Sequence, residues 1–172
     1  MNFDEKTLSK AYIYNGKILN VRRDDVLLPD GSKAVREVIE HSGGSAVLCE
    51  MDGKVLMVKQ FRYPHGESIW EIPAGKRNQN EPPEVTAIRE LEEEGGVIAE
   101  KVEKIFEVYP TPAYAEEVIH IFKAIGVKKG KVHLDDDEFL TSKWFTKDEL
   151  KQMLQKGEIK DAKTLIAINS ML

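Results

Sequence analysis

Residues 75–97 read GKRNQNEPPEVTAIRELEEEGGV, and everything else in the chain is best placed relative to this stretch. Pro82 and Pro83 suit a first helical turn, where an N–H is unneeded, but not a helix interior. Gly95-Gly96 supplies a stop. The spacing predicts a helix over 84–95. Ala87, Leu91 and Ile88 can face a sheet, whereas Glu90, Glu93 and Glu94 follow at offsets of three and four and share one face. Three like charges there repel and weaken the helix, and a bound cation removes that penalty. Magnesium and manganese prefer hard oxygen ligands of this kind. Arg89 can reach Glu93 one turn on and hold it oriented. Glu81 lies near the helix N-terminus, where an anion is favoured. A glutamate-rich helix is also common as plain solvated surface, with Arg89 and Glu93 an ordinary ion pair. The turn Ile72-Pro73-Ala74-Gly75 brings loop backbone close to the helix and can offer a main-chain carbonyl as a further ligand.

The surrounding 172 residues carry 25 Lys+Arg against 30 Asp+Glu, a net charge of −5. With 41% hydrophobic and 32% charged residues, the chain reads as soluble and globular, not disordered or fibrous. The negative balance argues against a nonspecific nucleic-acid binder, while leaving room for a locally basic pocket that takes a phosphorylated small molecule. The N-terminus has no basic region followed by an apolar core, so no signal peptide is expected. No apolar run is long enough to span a membrane. A cytoplasmic location is the expectation. The single cysteine, Cys49, excludes an internal disulfide and a cysteine-rich zinc site; within Ala46-Val47-Leu48-Cys49 it reads as a small buried hydrophobe.

Turn signals are frequent: Asn15-Gly16, Pro29-Asp30-Gly31 and Asp52-Gly53. Between them strands are predicted at 18–28, 34–40, 44–50 and 54–61, and later at 102–109, 116–125 and 138–146. Val55, Leu56, Met57 and Val58 form a continuous run that suits a strand covered on both faces. Further helices are predicted at 147–156, opened by a capping box of Thr146 and Glu149, and at 162–171. The mixture is α/β. Residues 1–40 read as a small strand-rich antiparallel lobe, joined through Ser42-Gly43-Gly44 to a main domain of 41–172. A lobe that size buries little alone, so it is expected to pack on the main fold or on a partner subunit.

Gly75, Glu81, Arg89-Glu90-Leu91, Glu93-Glu94 and Gly96-Val97 match the Nudix box at every specified position, and the chain resembles that family of hydrolases. The resemblance runs from about residue 5 to 170. Val58-Lys59-Gln60-Phe61-Arg62, Trp70-Glu71-Ile72-Pro73-Ala74-Gly75, Thr111-Pro112-Ala113-Tyr114-Ala115-Glu116-Glu117 and Asp161-Ala162-Lys163-Thr164 are similar to its ADP-ribose pyrophosphatase branch. Ala113 departs from the glycine usual there.

The resemblance implies an α/β/α sandwich around a central mixed sheet, and metal-dependent hydrolysis of a nucleoside diphosphate sugar. ADP-ribose would give AMP and ribose 5-phosphate. The alternatives are a related pyrophosphatase, for GDP-mannose or similar, and a non-catalytic nucleotide-sugar sensor on the same scaffold. It also implies Mg²⁺, with Mn²⁺ as a substitute. Glu90, Glu94 and Glu93 are the expected metal ligands with the Ala74 carbonyl, and Arg89 orients Glu93. Glu93 and Arg89 thus count among the catalytic set. The general base in this branch comes from a later loop; Glu138 is the choice here, with Asp136 and Asp137 behind it, and a merely solvated acidic loop is the alternative. Arg62 is expected to meet the diphosphate or terminal ribose. Arg36 and Glu37 are candidates for the base and ribose, with an ordinary surface role nearly as good a fit. Glu117 is a candidate for metal binding or for positioning the catalytic loop. The implied assembly is a homodimer through the 1–40 lobe, with neither nucleic acid nor membrane as a partner. Trp70 reads as core or interface packing, and the four scattered histidines lack the spacing of a zinc site.

Overall fold

Asp52 and Gly53 both take left-handed backbone (φ 52° and 72°) in the computed structural model, which describes residues 2–134 and 139–172. Such a pair closes a two-residue hairpin whose twist matches its strands. That hairpin joins β5 (Glu50–Met51) to β6 (Lys54–Arg62) in the larger of two units, Gly44–Val108 with Ile119–Leu172. The unit's other elements are β4 (Gly44–Leu48), β7 (Glu67–Glu71), β8 (Ala74–Lys76), α1 (Pro83–Gly95), β9 (Val97–Ile98), β10 (Lys101–Val108), β11 (Ile119–Ile125), β12 (Lys128–Lys129), β13 (Leu140–Thr146), α2 (Lys147–Gln155) and α3 (Ala162–Met171). Strand order is β10-β11-β4-β8 in one sheet and β13-β6-β5 in another, with β7 also pairing β6, further along it than β5. β11 and β4 run parallel and the remaining pairs antiparallel. The sheets are therefore mixed.

Alternation along the strands builds two cores. Ala46 and Leu48 of β4, Val55 and Met57 of β6 and Ile121 of β11 pack with Leu150 and Met153 of α2 and Ala167 and Ile168 of α3. The intervening residues Val47, Cys49, Leu56 and Phe122 pack with Ala87 and Leu91 of α1. One side chain in two points each way, so helices cover both sheet faces. This is the α/β/α layering expected from the sequence, and it explains why β4 and the start of β6 read as continuous apolar runs. Cys49 is buried, and burial pushes its thiol up to about 12, as an inert hydrophobe requires. Trp70 lies edge-on to Phe145, ring centroids 4.9 Å apart.

The smaller unit comprises Met1–Gly43 and Tyr109–Val118. It holds an antiparallel sheet of β1 (Lys6–Asn15), β2 (Asn20–Leu27) and β3 (Lys33–Glu40). Residues 109–118 join it through the backbone bonds Ile39 N–H to Tyr114 O (2.7 Å) and Glu116 N–H to Ile39 O (2.9 Å). The strand predicted over 116–125 accordingly begins only at Ile119. At the unit's centre the buried Arg22 guanidinium pairs with Asp24, Glu40 and Glu116.

The helix ends follow the sequence signals. Gly96 takes left-handed backbone (φ 60°) and its N–H bonds the Glu92 carbonyl, and the Thr146–Glu149 capping box is made in both directions. No helix among the described residues is long and apolar enough to cross a membrane.

A charged junction ties β6, β7 and α3 together. Glu71, 2% exposed, accepts hydrogen bonds from Arg62 Nε and Nη2 (2.5 and 2.8 Å) and from Lys163 Nζ. Burial alone raises the Glu71 carboxyl, but the Arg62 hydrogen bond and the charges of Lys163 and Arg62 outweigh it and hold the group below its ordinary value. With the folded value below the unfolded one, the unfolded chain takes the proton first as pH falls. The stabilisation is complete above the ordinary carboxylate value and is lost below it. Glu71→Gln is therefore expected to lower stability at pH 7 and to flatten its loss on acidification. Denaturant melts at about pH 7 and about pH 4 check this; equal acid sensitivity in both proteins would contradict it.

Candidate active site

Two prolines open α1, with no side-chain cap on its first turn, so its exposed N–H groups invite an anion nearby. Glu81 takes that place. Its carboxylate accepts the Asn78 N–H (3.0 Å) and the Thr86 hydroxyl (2.9 Å). The Asn78 hydrogen bond leads in holding its carboxyl below the ordinary value, with Arg89 and Thr86 adding to it against burial.

Arg89 is the hub of the site. Its guanidinium lies 2.7 Å from Glu93 Oε2, 2.8 Å from Glu90 Oε1 and 3.4 Å from Glu81 Oε1. One cation thus touches three carboxylates. Burial opposes its charge, but the Glu81 hydrogen bond and the Glu90 and Glu93 carboxylates keep it more firmly protonated than an ordinary arginine. Glu94, on the same helix face, accepts the Ala74 N–H at 2.9 Å. Both Glu90 and Glu94 are buried in the seam between α1 and β8.

Gly75 makes that seam possible. A Cβ there would stand 1.9 Å from Glu90 Oε1, inside contact distance. Absence of a side chain lets a carboxylate press against the strand. Past the helix, the His133 N–H bonds the Glu93 carbonyl (3.0 Å) and the Gly130 N–H bonds that of Gly96 (2.7 Å). The chain entering the acidic run 135–138 is thereby pinned at Glu93. Val85, Ile88, Arg89, Glu92, Glu93 and His133 line a groove here.

The structure brings Arg89, Glu90 and Glu93 together and sets Glu94 beside Ala74, whose N–H rather than carbonyl makes the bond seen. Among the described residues, no three of His, Cys, Asp or Glu are gathered as a metal cluster; Arg89 and the Ala74 N–H engage the glutamates instead. The donor set still fits a hard divalent cation: carboxylate oxygens alone, two of them on buried residues, notched against a glycine. Arg62 closes β6 with its Nε and Nη2 held by Glu71. Arg36 and Glu37 lie exposed on β3 of the smaller unit, where Arg36 pairs with Glu5 and the Val35 carbonyl. Glu117 lies 3.5 Å from His41 Nδ1, also in the smaller unit. Glu138, Asp136 and Asp137 lie outside the described residues. Sequence reasoning assigned no role to Glu71 or Lys163. The available signal was a charged residue between Trp70 and Ile72, both of which had to be covered.

A NUDIX domain model matches residues 40–167 and a nucleoside diphosphate sugar hydrolase N-terminal domain model matches residues 5–39. The chain is 44% identical over 170 residues to an ADP-ribose pyrophosphatase of Bacillus subtilis (strain 168), covering 97% of this chain and 92% of that one. It is 41% identical over 169 residues to a methanol dehydrogenase activator of Bacillus methanolicus, covering 96% and 91%. A crystal structure described as an ADP compounds hydrolase superposes with a TM-score of 0.84 at 16% identity, covering 98% of this chain and 92% of that one; it shares the fold. With the glutamate-lined α1, its glycine notch and these matches in hand, the chain belongs to the Nudix family and is a Nudix hydrolase.

Proposed function

We propose that the protein hydrolyses ADP-ribose to AMP and ribose 5-phosphate with a divalent cation, Mg²⁺ or Mn²⁺, at the α1 carboxylates. The observation that carries this reading is the packing of Glu81, Glu90 and Glu93 around Arg89 with Glu94 beside them. So many like charges in one seam suit a cation, and the 44% likeness to an ADP-ribose pyrophosphatase supports the substrate. A divalent ion supplies neutralisation of the diphosphate and a lower pKa for the attacking water. Glu90, Glu93 and Glu94 would hold it with the Ala74 carbonyl, and Arg89 keeps Glu93 in place. Arg62 offers its outer edge to the diphosphate or the terminal ribose. Glu138 accepts the proton of the water as its oxygen adds to phosphorus and the bridging P–O bond breaks. An ionised carboxylate at pH 7 is competent for that.

Hydrolysis of ADP-ribose, GDP-mannose, flavin adenine dinucleotide and dinucleoside polyphosphates, compared by kcat/KM with Mg²⁺, tests the substrate. ADP-ribose is expected to lead, and a GDP-mannose preference would replace the reading with the alternative one. Glu94→Gln keeps size but removes an anionic ligand. Its turnover is expected to fall by more than the roughly 10–100-fold typical of a residue that only supports a metal ligand, with an unchanged unfolding midpoint. Near-normal activity at limiting Mg²⁺ would contradict the assignment. Glu138→Gln is expected to lower kcat by about 10²–10⁴-fold with little change in ADP-ribose affinity. Asp136→Asn and Asp137→Asn are controls: equal losses in all three would reduce the loop to a general field.

We also propose a homodimer through the smaller unit, in the cytoplasm. Every residue of β1 is exposed, Leu8, Tyr12, Ile13 and Tyr14 among them, an apolar density that a lone sheet face rarely leaves in water. Sedimentation velocity at micromolar concentration is expected to give a dimer, and Ile13→Asp a monomer. A wild-type monomer would contradict the assembly.

A further inference from the structure

Behind Arg62 lies a pair of opposite charges, Glu71 and Lys163. Glu71 and Lys163 come from positions 92 residues apart, and both are buried. A lysine in such a place is costly unless fully paired. It is: Lys163 Nζ bonds Glu71 and lies 3.0 Å from Asp161 Oδ1. Asp161 is in turn fixed, because its Oδ2 caps α3 by accepting the Thr164 N–H (2.9 Å) and hydroxyl (2.6 Å). The Thr164 hydroxyl oxygen accepts the Ile72 N–H at 2.9 Å, locking the residue next to Glu71.

Glu71 balances Arg62 and Asp161 balances Lys163, so the four charges are neutral together. Beyond charge, the lysine contributes geometry. Glu71 Oε1 accepts Arg62 Nε, and Oε2 accepts both Arg62 Nη2 and Lys163 Nζ. The ammonium thus shares Oε2 with the fork, and the carboxylate is held at both oxygens by two different elements. The guanidinium paired with so fixed a carboxylate keeps its plane. That plane leaves Nη1 without a partner among the described residues, on a side chain 37% exposed. Three residues beyond Glu71, the Ala74 N–H bonds Glu94 of α1 at 2.9 Å, and the charge of Glu94 also favours the protonated arginine.

We propose that Lys163, acting through Glu71, is a positioning residue that sets the Arg62 guanidinium so that Nη1 meets an anionic oxygen of the substrate's diphosphate. The proposal rests on the nucleotide-sugar reading for its substrate, but its geometric half stands apart from it.

The test is a kinetic double-mutant cycle on the full chain, joined to a spectroscopic readout. Lys163→Met removes the ammonium and keeps the stem. It is expected to raise KM for ADP-ribose on the order of 10-fold, the scale of one charge-assisted hydrogen bond, with kcat within about 3-fold. In an Arg62→Ala background the same change is expected to add less than about 2-fold, because its effect runs through the arginine. Equal losses in both backgrounds, or a fall in kcat with KM unchanged, would overturn the proposal in favour of a purely structural lock. Should Lys163→Met unfold, Lys163→Gln, which keeps a donor but not the charge, carries the same cycle. Independently, the Arg62 Nε–H resonance in ¹⁵N–¹H spectra, assigned by its loss in Arg62→Ala, is expected to be sharp in the wild type and exchange-broadened in the Lys163 variant. An unchanged resonance would overturn the positioning role whatever the kinetics. If the wild type fails to hydrolyse ADP-ribose, the functional reading falls, and this resonance still decides whether Lys163 fixes Arg62.

Discussion

Repulsion among the α1 glutamates is the constraint on which the site depends. Carboxylates three and four residues apart weaken a helix, and burying two of them against β8 compounds the cost. The Arg89 guanidinium meets much of that cost. Arg89 reaches three carboxylates, while Glu94 turns to the Ala74 N–H. The requirement spreads outward from there. Gly75 must lack a side chain for Glu90 to fit, the turn before it must present the Ala74 N–H, and α1 must stop at Gly96 so that the chain can return through Gly130 and His133 to bond its last turn. Ala87 and Leu91, fully buried on the stripe of α1 that adjoins Glu94, hold the helix down while its neighbouring polar stripe stays charged.

The same device recurs at two other places. Arg62 shares Glu71 with Lys163, and Arg22 gathers Asp24, Glu40 and Glu116. Each arginine ties segments distant in sequence: Arg22 to Glu116 across 94 residues, and the Glu71 cluster from β6 to α3. A planar fork with several donors can serve two or three acceptors at once, which a lysine does less well. Breaking one partner of such a cluster leaves the others uncompensated, so these groups tie separate elements to one another.

Much of the fold was legible in the sequence, for physical reasons that can be named. α1 announced itself through proline, glycine and an apolar stripe, α2 through its capping box, and β4 and β6 through apolar runs that only two-sided cover explains. β1 was missed because all ten of its residues are exposed, leaving no alternation to read. β7 and β8 were missed because Glu67–Glu71 and Ala74–Lys76 are short and one ends in a buried charge. The box residues were legible because their chemistry is local, within one helix and the turn before it. The Glu71–Lys163 pairing was not, since spacing says nothing about partners 92 residues apart. Likewise, the assignment of 109–118 to the smaller unit depends on backbone bonds to Ile39 and on Glu116 reaching Arg22, which no local pattern encodes.

A cation site at the α1 carboxylates is what the rest of the proposed chemistry requires. Substoichiometric Mn²⁺ added to ¹⁵N-labelled protein broadens amide resonances near wherever it binds. The expected result is broadening centred on Ala74–Lys76 and Glu90–Glu94, reversed by excess Mg²⁺. Broadening centred instead on another acidic group, such as Asp24, Glu40 and Glu116 around Arg22, would contradict the claim directly.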